Sequence, residues 1–140
     1  MGLFHIRLIN EPEDFLLLSP SNPFRGLSDY MCFDNLIHWF FCGTCGVRCF
    51  SYSGKDGGEE REVEIDGVKT KVWTPKREGW ASGMTENGYD YLTVNATTIE
   101  PRQEGFDMRE WHEKGWIHYL DTLGEVGEPR LGKPHEGGMY

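Results

Sequence analysis

The sequence predicts a mostly β domain, and three observations carry that expectation. Apolar residues alternate with polar ones in short runs, as in "LFHIRLI" where Phe4, Ile6 and Leu8 interleave with His5 and Arg7. Turn signals are dense, with 18 glycines and seven prolines among 140 residues. Only one segment, "FDMREWHEKGW", carries both a start and a stop signal for a helix.

In chain order, "LFHIRLI" reads as a half-buried strand. Pro12, Pro20 and Pro23 break the next stretch, which permits a short extended run at Phe15 to Ser19 and no long helix. "YMCF" and "IHWFFC" flank Asp34 and Asn35 as the arms of a hairpin, and "GVRCFSY" continues as β. The segment from Ser53 to Gly67 is glycine-rich and acidic, so it reads as a solvated loop with a short strand at Val63 to Ile65, and Glu59 and Glu60 as part of a solvated face. "KTKVWTP" and "YLTVNATTI" are two further strands with a loop between them, "KREGWASGMTENGYD". Asp107 caps the helix over residues 107–114 with Glu110 three places on, and Gly115 stops it. "WIHYLDTL" reads as a strand, and an irregular tail begins at about residue 124.

A length of 140 residues suits a single domain over 1–140. The net charge of −9 supplies no basic stripe for phosphates, so no nucleic-acid partner is expected. No apolar run reaches the length of about 18 residues that a membrane span needs, and the opening lacks the parts of a signal peptide. The expectation is an intracellular, cytoplasmic protein whose cysteines are thiols or metal ligands rather than disulfides. In that setting "NAT" at Asn95 to Thr97 is strand sequence rather than a glycosylation site.

Chemistry concentrates in "FFCGTCGVRCF", which holds three of the four cysteines. Cys42 and Cys45 have zinc-knuckle spacing, and the following Gly46 lets the backbone fold beneath two converging sulfurs. A thioredoxin-like reading fails because β-like sequence, not a helix, follows Cys45. Extended geometry would carry Cys49 roughly 13 Å from Cys45, too far to share a metal. Pairing across the hairpin would set Cys32 against His38 or Trp39, so Cys32 and Cys49 read as packed thiols. Of His5, His38, His112, His118 and His135, none forms a ligand pair with another, and the glycine-rich tail makes His135 the best placed to fold back onto a site. No nucleophile or phosphate-loop motif stands out.

"HWFFCGTCGVRCF", the "LTVNATTIE" strand, the opening "GLFHIRL", "REW", "KGW", "YLD" and the tail "PHEGGMY" together resemble the glutathione-dependent formaldehyde-activating enzyme and centromere protein V family, in its fungal form. The resemblance covers nearly the whole chain. It implies an Mss4-like fold of small stacked antiparallel sheets. It also implies a structural zinc with Cys42 and Cys45 as one ligand pair, and carbon-sulfur lyase activity on a glutathione adduct, glutathione being the co-substrate. The family's earlier C-x-C pair and its C-x-C-x-x-C cluster, which binds a second zinc, have no counterpart, since no cysteine precedes Cys32. The chain therefore reads as an amino-terminally shortened member lacking the catalytic zinc cysteines. Two other readings stay open: a non-catalytic zinc-knuckle module docking through Trp39, Phe40 and Phe41, and an inactive remnant.

Overall fold

The computed structural model describes residues 4–31, 35–54, 57–81, 83–85, 88–119 and 130–131. The chain is mostly β, as expected, and divides into two compact units, His5–Asn95 and a second formed by Met1–Phe4 with Ala96–Tyr140. Among the described residues, no helix is long and apolar enough to cross a membrane.

The larger unit is built on an antiparallel sheet. Its strands are β1 (His5–Arg7), β2 (Ser28–Met31), β3 (His38–Phe41), β4 (Arg48–Ser53) and β8 (Gly88–Asn95), in the spatial order β1-β8-β4-β3-β2, with β7 (Gly83–Thr85) also pairing with β8. A second hairpin joins β5 (Glu59–Ile65) to β6 (Val68–Thr74). The prolines limit the early helices to single turns, α1 (Glu11–Asp14) and α2 (Pro23–Gly26). The extended run after α1 pairs with β6 through Leu17 and Trp73, which exchange backbone hydrogen bonds of 2.8 and 3.0 Å.

Alternation explains the core. Phe40 opposes Phe50, Phe50 opposes Val94, and Tyr52 opposes Leu92, so one face of the sheet is apolar. Trp73 from β6 lies on this face, 5.0 Å from the Tyr52 ring and 6.1 Å from Phe50, and Phe15 wedges beside it. Its indole N–H donates to the Gly57 carbonyl at 2.9 Å. Gly58 must be glycine here: its φ is +75°, and an added Cβ would lie 2.4 Å from the indole.

Several elements differ from the sequence reading. The acidic segment is strand from Glu59 onward rather than from Val63, and Glu60 is tied to Lys71, Arg25 and Asn22 instead of standing free in solvent. The loop before β8 contains β7, whose pairing with β8 makes a tight hairpin. β8 ends at Asn95, and Ala96–Thr98 form a 3-10 turn rather than strand. The Asn95 side chain is 3% exposed and donates to the Arg48 carbonyl at 2.8 Å, which gives the "NAT" asparagine a structural task. Met31 opposes His38 and Tyr30 opposes Trp39, so neither of those residues takes the partner that the turn had suggested. Cys32 itself, His135 and the tail from about 124, apart from Arg130 and Leu131, lie outside the described residues.

In the smaller unit, α3 (Met108–Glu113) forms where expected. Asp107 caps it by accepting from the Arg109 N–H at 2.9 Å and also pairs with the Arg109 side chain. The Glu110 carboxylate takes Lys114 rather than completing a capping box. After α3, a two-residue strand β9 (His118–Tyr119) pairs with β10 (Arg130–Leu131). The Arg109 side chain and amide hold the Asp107 carboxyl down at about 2. A depressed carboxyl stabilises above its unfolded value and loses that contribution as pH falls through the folded one. Helix content in α3 is therefore expected to decline between about pH 4 and pH 2. Asp107→Asn should flatten that decline, followed as the α3 amide resonances in an NMR pH titration.

Candidate functional site

The site begins where β3 turns into β4. Phe40 opposes Phe50 but Phe41 opposes Arg48, so the ladder slips and Cys49 has no partner across it. Such a bulge bends the strand and re-aims side chains. Beyond it, the Cys42 N–H donates to the Val47 carbonyl at 2.9 Å and the Gly46 N–H donates to the Cys42 carbonyl at 2.8 Å. Gly46 closes the turn with φ +74°, the left-handed conformation that glycine adopts without a Cβ clash.

Cys42 and Cys45 lie in the same turn. Nearby donors, chiefly the backbone amide of Cys45 and then that of Thr44, favour the Cys42 thiolate and hold its pKa below the ordinary thiol value. Cys45 is exposed and Cys42 partly so. A lowered thiol pKa at an accessible cysteine, with a left-handed glycine after the second cysteine, favours a thiolate ready to ligate a metal.

Cys49 is the extra residue of the bulge. Its thiol donates to the Val47 carbonyl at 3.6 Å. Burial first, then the charge of Cys42, push its pKa up. It is a half-buried thiol packed against the core cluster, as read from the sequence.

The histidines go to separate tasks. His5 accepts or donates at Thr93 Oγ1 over 2.8 Å, His38 meets Asp29 at 2.7 Å and stacks on Phe40, and His112 reaches the Tyr119 hydroxyl at 3.3 Å. His118 sits exposed on β9. Among the described residues, no group of three or more His, Cys, Asp or Glu side chains is gathered to hold a metal ion. The donor chemistry of Cys42 and Cys45 fits one half of a tetrahedral zinc site, which takes four ligands.

A cluster that the sequence reading missed lies on the sheet face opposite the core. There Trp39 opposes Ser51, Ser51 opposes Thr93, and Arg48 packs its guanidinium over the Trp39 ring at 4.7 Å. Period-two alternation would have placed Arg48 with Phe50 and Tyr52 on the core face. The bulge at Cys49 reverses that.

Comparison with family models, curated proteins and solved structures finds no match to this chain.

Proposed function

We propose that the chain is a zinc-knuckle β domain of the formaldehyde-activating enzyme and centromere protein V type, with Cys42 and Cys45 as two ligands of a structural zinc. The observation that carries this reading is the turn itself: Cys42 and Cys45 fall in one tight turn, closed by the Gly46 N–H on the Cys42 carbonyl at 2.8 Å with Gly46 at φ +74°. A zinc bound here would fix the β3–β4 turn and keep both thiols as thiolates, a role suited to a reducing, intracellular setting. The remaining ligands come from outside the group described above.

The resemblance supplies the reaction class, carbon-sulfur lyase chemistry on a glutathione adduct. Because the cysteines of the family's second zinc have no counterpart before Cys32, this chain alone is expected to bind zinc with little turnover. A turnover assay of the zinc-loaded chain with S-hydroxymethylglutathione checks this; a metal-dependent rate well above the uncatalysed one, lost in Cys42→Ser, would make it an active lyase. The alternative docking role would rest on Trp39 and Phe41, which are partly exposed, because Phe40 is fully buried and serves the core.

A further inference from the structure

The polar face of the sheet holds a half-buried cation with no ion-pair partner among the described residues. Arg7, Arg25, Lys71, Arg77, Arg109 and Lys114 each meet a carboxylate, whereas Arg48, which lies over Trp39 in a chain of net charge −9, meets none among the described residues; the half-buried Arg61 of β5 likewise has no described ion pair. A partly desolvated guanidinium without an anion is costly unless something else engages it.

Its surroundings are fixed in place. Asn95 holds the Arg48 carbonyl at 2.8 Å. His5 sets its ring edge-on to Trp39 at 5.5 Å and bonds Thr93, which in turn bonds Ser51 at 2.6 Å, both hydroxyls being buried. That pair anchors the imidazole rather than serving as nucleophiles, since neither hydroxyl reaches solvent. His5 is exposed, and Arg48 and Trp39 are partly so. Desolvation, and then the Arg48 charge, lower the pKa of the histidine from its usual value.

We infer that Arg48, Trp39 and His5 form a binding site for a planar monocarboxylate. Trp39 orients the guanidinium by stacking and leaves its N–H edge free to meet two carboxylate oxygens, with the imidazole as a neighbouring donor or acceptor. One available cation suits a single negative charge better than a phosphate dianion, which the acidic chain would repel more strongly. This site needs no metal and stands apart from the zinc reading.

The test titrates the full reduced chain with N-acetylglycine, acetate and inorganic phosphate, each up to about 20 mM, while NMR follows the Arg48 Nε–H and Trp39 indole resonances. Saturable shifts of both resonances with the carboxylates are expected, abolished in Arg48→Gln and weakened at least about tenfold in Arg48→Lys, which keeps the charge but loses the planar fork. Equal affinity for acetate and N-acetylglycine assigns the site to a free acid, and stronger N-acetylglycine binding assigns it to a peptide C-terminus. The inference is overturned by no saturable shift, by shifts that survive in Arg48→Gln, or by tighter binding of phosphate.

Discussion

Trp73→Ala is expected to cost roughly 3–5 kcal/mol, a large share of the 5–15 kcal/mol that holds a typical domain together. The indole is 1% exposed and bridges the β5–β6 hairpin and the sheet, touching Tyr52, Phe50 and Phe15. Its removal leaves a cavity facing the sheet and frees the half-buried Gly57 carbonyl from its donor. Trp73→Phe separates these terms: it refills most of the cavity and loses the hydrogen bond, at a cost of about 1–3 kcal/mol. Urea denaturation followed by far-ultraviolet circular dichroism measures both. A loss below about 1 kcal/mol in Trp73→Ala would mean that the β5–β6 hairpin does not cap the sheet as described.

The second large effect concerns the metal. Zinc at a free concentration 100-fold above its dissociation constant is expected to stabilise the reduced chain by about 2.7 kcal/mol, because only the folded turn presents Cys42 and Cys45 together. Cys42→Ser should erase that gain, since a hydroxyl is a poor zinc ligand at neutral pH. Cys49→Ser should keep it, because the Cys49 sulfur is engaged by Val47 and half-buried. Thermal unfolding with and without zinc checks all three chains. A zinc gain that disappears in Cys49→Ser instead would move the metal away from the knuckle.

The parts of the fold legible in the sequence were those fixed by local rules. Phe4 to Leu8 alternate, Asp107 and Gly115 bracket a helix, and Cys42 to Gly46 have knuckle spacing, each readable within a few residues. Strand length was less legible where charge hid it. Glu59 and Glu60 look solvated in isolation, yet Lys71 across the hairpin and Arg25 from α2 offset the charge of Glu60 and let β5 extend. The least legible feature was the bulge at Cys49, because one residue slipping in a ladder changes the face of everything before it. Strict alternation sends Arg48 toward Phe50 and Tyr52 and carries Cys49 away from the knuckle. The observed slip leaves Cys49 without a partner across the ladder and lays Arg48 over Trp39.

Native mass spectrometry of the reduced, full-length chain with added zinc tests the central claim most directly. The expected spectrum shows one zinc per chain, absent in Cys42→Ser. A chain that takes up no zinc, or one whose zinc persists in Cys42→Ser, would contradict the assignment of the β3–β4 turn as a metal knuckle.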